Sequence, residues 1–351
     1  MTDVDKLKTA LRKKCNSSEL KIADLLSSGC TTLNLACTGK RTGTFVKGHY
    51  YLYVGDSNSG KTWLCLSALA EAANNPNFED YDLIYIDVER GVLMDVRKFF
   101  GSKLADRITF KYLGTIEEFY YYLDDLREVG NPFVCILDSM DSLTSEADDK
   151  KFVENKKRAR KDKEIKGSFG DGKAKSNSGN LRRAVSELKK TGSILIVVAQ
   201  TRDAINSMFE TKTRSGGHSM KFYATLEIWT SVRQQIKRKY KDKDRQLGIL
   251  VKARVKKNRI AGKDRAVEFP IYHSAGIDDV GCCVKYLLDE KHWVKKGGNI
   301  RAEEFDASME EKDLIAYIEE NNLEKQLHRI VSEVWNRIED ACKVERKPRY
   351  V

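Results

Sequence analysis

A glycine-rich loop at residues 55–62 constrains the fold of this chain more than any other feature of its sequence. The loop reads Gly-Asp-Ser-Asn-Ser-Gly-Lys-Thr, and it lies between the apolar run 50–54 and the helix-forming run 63–70. The pattern G-x-x-x-x-G-K-T between a strand and a helix is typical of a loop whose backbone N–H groups surround phosphate oxygens. The sequence therefore predicts an α/β fold that binds a nucleotide.

The eight loop residues have different expected roles in phosphate binding. Lys61 is expected to reach the β and γ phosphates, and the hydroxyl of Thr62 is expected to bind Mg²⁺. The remaining six positions present backbone N–H groups to the phosphates: Gly55, Asp56, Ser57, Asn58, Ser59 and Gly60. The loop thus predicts a nucleotide site with a magnesium ion.

Apolar runs alternate with helical patterns through the middle of the chain. The runs that predict buried parallel strands are Tyr50–Val54, Asp82–Asp87, Pro132–Asp138 and Ser193–Gln200. Helices are predicted between and after them, at residues 61–75, 91–101, 115–130 and 178–191. Later runs at 223–232, 247–255 and 265–272 predict an antiparallel extension of the sheet. Ligands are expected at the carboxyl ends of the parallel strands.

Three regions are predicted along the chain. Residues 1–45 form a small N-terminal helical segment, which either docks on a neighbouring subunit or caps its own core. Residues 46–275 form the nucleotide-binding core, and residues 276–351 form a small α+β unit that ends in amphipathic helices.

Composition narrows the class of protein further. No apolar stretch approaches the roughly 20 residues of a membrane span, and the N-terminus has no signal-peptide pattern, so we expect a soluble, cytoplasmic protein. Eight cysteines without a C-x-x-C pair predict reduced thiols in the core rather than disulfides or metal ligands. The net charge of +11 favours a polyanionic partner.

Three polar residues follow the predicted strands at the expected ligand edge. Asp138 ends a strand about 75 residues after the phosphate loop. This position is typical of an aspartate that holds the water shell of Mg²⁺. Glu89 follows Asp87 and could orient and deprotonate an attacking water, although an acid at a strand end can also be simply solvated. Gln200 precedes the loop 201–218 and could sense the γ phosphate.

Positive charge is concentrated in two segments. Residues Lys150–Lys175 contain eleven Lys or Arg against four Asp or Glu, and Arg182 and Arg183 could continue this track on the next helix. The run Arg233–Arg245 interleaves Tyr240 with Lys and Arg and predicts a hairpin. Each segment either attracts nucleic acid or is a solvated surface.

The spacing of several segments resembles RecA-type recombinases, including phage recombinases such as UvsX. The similarity covers about residues 28–298. The segments that match in order are Gln200–Phe209, Arg214–Ala224 and Lys257–Ala261, then Glu268-Phe269, Tyr272 and Gly276-Ile277. The first two correspond to the second DNA-binding loop of the family and the strand that leaves it.

The resemblance implies a role for each residue of the nucleotide site. Lys61 and Thr62 would bind the phosphates of ATP and Mg²⁺, and Asp138 would be the Walker B aspartate. Glu89 would be the catalytic carboxylate, and Gln200 the γ-phosphate sensor. Lys257 and Arg259 would reach across a filament interface to the ATP of the adjacent subunit. A cation supplied in this way stabilises the charge that develops in phosphoryl transfer.

The resemblance also implies a DNA-binding loop. Ile205 and Phe209 lie where the family inserts apolar side chains between stretched base triplets, and Gly216 and Gly217 would let the loop reorder. The other residues predicted to bind DNA are Arg182, Arg183, Arg202, Met208 and Arg214.

Some positions depart from the family. Val96 stands where an aromatic residue usually stacks on adenine, and Ser57 replaces an acid of the phosphate loop. The region of the first DNA-binding loop is enlarged by the basic segment Lys150–Lys175, and the basic C-terminus 343–351 differs from the acidic tail of bacterial RecA.

The function that the resemblance implies is a DNA-dependent ATPase that forms filaments on single-stranded DNA and promotes homologous pairing and strand exchange. Its expected partners are single-stranded DNA, duplex DNA, further copies of the chain, and single-strand-binding or loader proteins. The alternatives are a RecA-core helicase or recombination-mediator ATPase, and a non-catalytic DNA-binding accessory protein. Apolar Ile205, Met208 and Phe209 favour the recombinase.

Overall fold

The computed structural model describes residues 20–160, 171–203, 212–214, 217–347 and 349. Residues 1–19 of the predicted N-terminal helical segment lie outside the described residues, as do residues 161–170 of the basic segment. Of the predicted DNA-binding residues, Ile205, Met208, Phe209 and Gly216 also lie outside them.

The described residues form short and long strands in the following order. They are β1 Leu25–Leu26, β2 Phe45–Val46, β3 Tyr50–Gly55, β4 Asp82–Asp87, β5 Ile108–Lys111, β6 Phe133–Asp138, β7 Ile194–Asp203, β8 Lys212–Arg214, β9 Leu226–Tyr240, β10 Lys243–Asn258, β11 Ala266–Tyr272, β12 Gly276–Ile277, β13 Val294–Lys296, β14 Asn299–Ala302 and β15 Ala307–Met309.

The α-helices of the described residues follow the same chain order. They are α1 Thr31–Thr38, α2 Lys61–Asn74, α3 Val96–Phe100, α4 Ser102–Arg107, α5 Ile116–Val129, α6 Glu146–Ala159, α7 Asp171–Thr191, α8 Gly217–Tyr223, α9 Asp279–Asp289, α10 Glu311–Glu320 and α11 Glu324–Ala341. None of them is long and apolar enough to cross a membrane.

A large mixed sheet forms the centre of the molecule, in the order β12-β11-β10-β9-β3-β7-β6-β4-β5. The strands from β9 to β5 run parallel, and the pairs β9–β10, β10–β11 and β11–β12 run antiparallel. The predicted α/β fold with an antiparallel extension is therefore confirmed. The four predicted parallel strands are β3, β4, β6 and β7, whose carboxyl ends meet at one edge.

The parallel strands β3, β4, β6 and β7 are buried on both faces, which explains their continuous apolar runs. Alternate residues of β3 point to opposite faces. Tyr51 and Tyr53 pack in one apolar cluster with side chains of α2, such as Leu66. Leu52 packs in a second cluster with α5 and α7, including Leu188.

Helix α5 begins and ends where its sequence signals predict. The Thr115 hydroxyl accepts a hydrogen bond from the Glu118 backbone N–H at 3.2 Å, and the Glu118 carboxylate accepts one from the Thr115 N–H at 3.2 Å. This reciprocal capping box satisfies N–H groups at the start of the helix. Gly130 ends it with φ of +90°, a conformation that glycine adopts without a steric penalty.

The structure differs from the predicted helices in three places. The helix predicted at 178–191 begins earlier, as α7 Asp171–Thr191. Within the predicted helix 91–101 only α3 at 96–100 is helical, because Gly101 has φ of +87° and interrupts the helical backbone before α4 begins at Ser102. Leu25 and Leu26, which lie in the predicted N-terminal helical segment, instead form β1 and pair with β2. Both leucines are buried, so their apolar side chains indicate burial in the core rather than one face of a helix.

The predicted hairpin at 233–245 is the far half of the ribbon β9–β10. Tyr240 pairs with Lys243, and the two turn residues Lys241 and Asp242 both have positive φ, at +49° and +56°. Two-residue turns of this conformation match the twist of antiparallel strands. The ribbon thus carries the basic run away from the sheet as an exposed arm.

The chain after β12 packs around a separate apolar cluster. Helices α9, α10 and α11 and the small sheet β13-β14-β15 bury side chains such as Leu287, Trp293, Ile300 and Val331. Leu35 of α1 belongs to the same cluster, so the N-terminal helix α1 joins this C-terminal unit to the core.

Candidate nucleotide-binding site

The phosphate loop joins β3 to α2 in a backbone conformation that requires glycine at both ends. A Cβ atom on Gly55 would lie 2.4 Å from the Thr230 hydroxyl and 2.5 Å from its carbonyl oxygen. Gly60 has φ of +85°, and a Cβ there would lie 2.6 Å from Ile271. Helix α2 begins at Lys61, so its first unpaired N–H groups point into the loop, where they favour an anion.

The side chain of Lys61 is fixed by hydrogen bonds to the backbone of this loop. Its Nζ donates hydrogen bonds to the carbonyl oxygens of Gly55 at 2.8 Å and Asp56 at 2.6 Å. Burial lowers the pKa of Lys61, while the nearby carboxylates, above all that of Asp138, act in the opposite direction. A buried ammonium group surrounded by backbone dipoles has a strong electrostatic attraction to phosphate oxygens.

Thr62 and Asp138 form the predicted magnesium pair. The Thr62 hydroxyl donates to Asp138 Oδ2 at 2.9 Å, and the Tyr85 hydroxyl donates to the same oxygen at 2.7 Å. Burial raises the pKa of Asp138, and the two hydrogen bonds and Lys61 oppose that shift. Hydroxyl and carboxylate oxygens are the ligands that Mg²⁺ prefers, so these residues fit the ion.

The predicted base and the predicted sensor contact each other. Glu89 Oε1 accepts hydrogen bonds from Gln200 Nε2 at 3.0 Å, from Ser142 Oγ at 2.5 Å and from Ser139 Oγ at 3.1 Å. The Gln200 backbone N–H donates to Asp141 Oδ2 at 2.5 Å. The ends of β4 and β7 are thus linked through the loop that follows β6.

A tight turn after β4 presents Glu89 to this edge. The buried carboxylate of Asp87 accepts hydrogen bonds from the N–H groups of Gly91 at 3.0 Å and Val92 at 2.9 Å. Glu89 itself is exposed. Asp87 therefore shapes the turn, while Glu89 is accessible to a ligand.

The phosphate loop also contacts the segment that leads into the predicted DNA-binding loop. The Thr201 hydroxyl donates a hydrogen bond to the Asp56 carboxylate, and Ser59 and Thr230 share a hydroxyl hydrogen bond of 2.8 Å. Thr201 lies in β7, whose last residues pair with β8. One hydrogen bond therefore joins the phosphate loop to the first residue of that pairing.

Arg202 and Arg214 lie on this paired ribbon. Thr201 is paired with Arg214, and Arg202 is paired with Thr213, so the two arginines occupy adjacent positions on opposite strands. Gly217 begins α8. The backbone thus brings the two ends of the predicted loop together.

Lys257 and Arg259 lie at the C-terminal end of α8. Lys257 Nζ donates to the carbonyl oxygens of Lys221 and, at 2.9 Å, Phe222. Arg259 donates to the same Phe222 oxygen at 2.7 Å, and its guanidinium lies 5.8 Å from the Phe222 ring centre. Cations are stabilised at a helix C-terminus by its unpaired carbonyl groups. The helix that follows the predicted loop is thereby attached to both predicted interfacial cations.

The predicted arginines of α7 are exposed. Arg183 forms an ion pair with Asp124 of α5 at 2.8 Å, and its side chain is 66% exposed. Arg182 beside it is also exposed. Exposed ion pairs contribute little to stability, so Arg183 remains available to a polyanion.

Several contacts near the site involve residues that no sequence motif identifies. Trp63, directly after the phosphate loop, lies 5.4 Å from Phe99 and 5.3 Å from Phe100 between ring centres. A Cβ on Gly276 would lie 3.0 Å from the Trp63 ring. Val96, at the position where the family usually has an aromatic residue, begins α3 and packs against the apolar cluster that contains Tyr51 and Leu66. The other unforeseen contacts come from Tyr85, Ser139, Asp141, Ser142 and Thr230.

The parallel sheet, the glycine loop with its lysine, and the threonine–aspartate pair together have the arrangement of a P-loop nucleotide-binding site. A model of the RecA N-terminal domain family matches residues 3–278, and the chain belongs to that family. The predicted resemblance to RecA-type recombinases is confirmed.

Relatives named protein RecA match most of the chain at low identity. The RecA of Nostoc punctiforme is 26% identical over 318 residues, which cover 89% of this chain and 80% of that protein. The RecA of Bacteroides thetaiotaomicron is 28% identical over 294 residues, covering 82% and 79% of the two chains. The RecA of Colwellia psychrerythraea is 29% identical over 283 residues, covering 78% and 73%.

Proposed function

We propose that this protein is an ATP-dependent recombinase. In this proposal it forms filaments on single-stranded DNA and promotes homologous pairing and strand exchange in DNA recombination and repair, with DNA-dependent ATP hydrolysis. The observation that carries the proposal is the 3.0 Å hydrogen bond between Glu89 and Gln200, because it joins the hydrolytic edge of the sheet to the strand that enters the DNA-binding loop.

Each residue of the site has a separate role in ATP hydrolysis. The phosphate loop and Lys61 bind the phosphates of ATP, and Thr62 and Asp138 hold Mg²⁺, which supplies positive charge beside the phosphates. Glu89 orients a water and accepts its proton as the water oxygen bonds to the γ phosphorus. The bond from that phosphorus to the β–γ bridging oxygen breaks, and ADP and phosphate leave. A compact aromatic group at Trp63 and Phe99 supplies the stacking surface for the base, in place of Val96.

Gln200 couples the nucleotide to DNA. A γ phosphate competes with Glu89 for the Gln200 amide, and β7 transmits the change to its pairing with β8 and thence to the loop that binds DNA. Binding energy then shifts the population between two loop states, so ATP must bind the DNA-competent state more tightly. Ile205, Met208 and Phe209 would act in that loop as apolar wedges.

Single-stranded DNA is expected to stimulate ATP hydrolysis, because the loop and the catalytic glutamate are linked through Gln200. The test measures ATP turnover with and without single-stranded DNA, while electron microscopy of the same samples detects filaments. Stimulated turnover with filaments supports the recombinase. Stimulated turnover on closed rings would instead support the helicase alternative, and absence of turnover in both samples would support the accessory protein.

The β9–β10 arm is proposed to attract duplex DNA. Its exposed cations lie on both strands and the turn: Arg233, Lys237, Arg238, Lys239, Lys241, Lys243 and Arg245. Two of them have acidic partners only at 3.9 Å, Arg233 with Glu268 and Lys239 with Asp242. Weakly paired charges on a projecting ribbon are suited to phosphate contacts.

Replacing Lys237, Arg238 and Lys239 by Gln is expected to weaken duplex binding and to flatten its salt dependence. Each lost phosphate contact reduces the slope of log affinity against log salt by about 0.9. Titration of labelled duplex at several salt concentrations measures the slope. The control replaces the exposed C-terminal cations Lys343, Arg346 and Lys347 by Gln, which removes the same formal charge. Equal slopes in the two variants would contradict a role for the arm.

A further inference from the structure

Three side chains of different chemistry converge where the C-terminal unit meets α1. A carboxylate oxygen of Asp279, the Sγ of Cys283 and a ring nitrogen of His328 all lie within 4.8 Å of one another. Asp279 and Cys283 are one turn apart on α9, and His328 comes from α11. Residues four apart on a helix share a face, so both α9 ligands are directed to the same point.

Helix α1 fixes the carboxylate of this cluster. The Thr31 backbone N–H donates to Asp279 Oδ1 at 2.6 Å, and the Thr31 hydroxyl donates to Oδ2 at 2.8 Å. Hydrogen bonds of this kind orient metal-binding carboxylates in proteins. The orientation of Asp279 therefore does not depend on His328.

The imidazole has no directed hydrogen bond in this cluster. His328 Nε2 lies 2.9 Å from Asp279 Oδ2, yet this buried atom has no partner at hydrogen-bond geometry. A ring nitrogen and a carboxylate oxygen that approach without such a bond can both direct lone pairs at a common cation. Tetrahedral zinc places its N and O ligand atoms about 3.3 Å apart, close to the spacing found here.

The cluster combines one buried sulfur with two ligands that solvent can reach. Cys283 is completely buried, so its Sγ is shielded from water. The side chains of Asp279 and His328 are 19% and 26% exposed, which leaves a route for an ion and for a water ligand.

We propose that Asp279, Cys283 and His328 bind one transition-metal ion of the zinc class. Thiolate, imidazole and carboxylate are the zinc donor set, whereas Mg²⁺ does not select sulfur or nitrogen ligands, so this site is chemically separate from the Thr62–Asp138 pair. The ion ties α9 and α11 to each other and, through Thr31, to α1. The sequence favoured reduced thiols without metal because the ligands form no short motif, with 45 positions separating Cys283 from His328.

Cobalt titration of the chelator-treated full-length protein tests the site, because Co²⁺ bound to a thiolate has a charge-transfer absorption band. We expect the band to saturate at one Co²⁺ per chain and to disappear when Zn²⁺ is added. Cys283→Ser should abolish the band, and His328→Gln should weaken Co²⁺ binding at least about tenfold. The matched control is Cys282→Ser, which removes the neighbouring thiol that contacts Thr32 rather than the cluster.

Each variant is first checked for folding by circular dichroism without metal, and the partly exposed His328 provides a test if Cys283→Ser does not fold. Absence of the band in the intact protein would overturn the proposal. A band that persists in Cys283→Ser and His328→Gln, or that is lost equally in Cys282→Ser, would also overturn it. None of these outcomes depends on ATP or DNA, so the site stands or fails separately from the recombinase function.

Discussion

Glu89→Gln is expected to reduce ATP turnover by about 10²–10⁴-fold while ATP binding is retained. The amide has the same size as the carboxylate, and its oxygen can still accept hydrogen bonds from the serine hydroxyls of the loop after β6. It cannot take a proton from water, so the lost step is proton transfer rather than the positioning of the turn.

Single-turnover hydrolysis and nucleotide binding, measured on the same preparation, separate these effects. The matched control is Glu79→Gln, an exposed glutamate that follows the 3₁₀ turn Pro76–Phe78, away from the nucleotide edge. Unchanged hydrolysis in Glu89→Gln would contradict its assignment as the base. Equal loss in both variants would show that the effect is not specific to the site.

The core of the fold could be predicted from the sequence because its signals are local and redundant. The apolar runs of β3, β4, β6 and β7 are each bounded by polar residues, and parallel strands buried on both faces give this pattern. The loop at 55–62 is one contiguous motif whose chemistry admits few alternatives. The same locality allowed Asp138 to be recognised as a strand-terminal acid.

The second half of the site could not be predicted because it depends on strand order. The sheet places β6 between β4 and β7, so the loop after β6 lies between Glu89 and Gln200, which are 111 positions apart. Asp141 and Ser142 are ordinary loop residues in the sequence and acquire their contacts only from that order. The sequence likewise indicates only that Tyr85 is a core residue. The structure shows that its hydroxyl donates a hydrogen bond to Asp138.

Helix α8, which follows the predicted DNA-binding loop, shows a similar limit of prediction from the sequence. The resemblance to RecA-type recombinases identified Lys257 and Arg259 as a pair, but it gave no indication that both side chains would contact the end of α8. In the proposed filament the pair would have two alternative partners, the carbonyl groups of α8 and the phosphates of a neighbouring subunit. Exchange between them would connect filament assembly to the loop that precedes α8.

Lys61→Ala is expected to abolish measurable ATP turnover and to weaken ATP binding. The substitution removes the ammonium group from a buried position, and Asp138 and Asp56 then face the phosphates without its charge. Binding and turnover assays measure the two losses. Lys40→Ala, at an exposed lysine, provides the control. Normal turnover in Lys61→Ala would refute the assignment of the phosphate loop.

Mixing Lys61→Ala with Arg259→Ala then tests whether the ATP site is shared between subunits. Each variant alone lacks one half of every shared site, so each should be inactive. In an equimolar mixed filament, about one interface in four joins an intact phosphate loop to an intact arginine, and turnover should recover to at most about a quarter of the unmutated rate. If Arg259 acted within its own chain, every subunit would remain defective and the mixture would stay inactive. ATP turnover of the mixture with single-stranded DNA therefore distinguishes an interfacial site from one contained in a single chain.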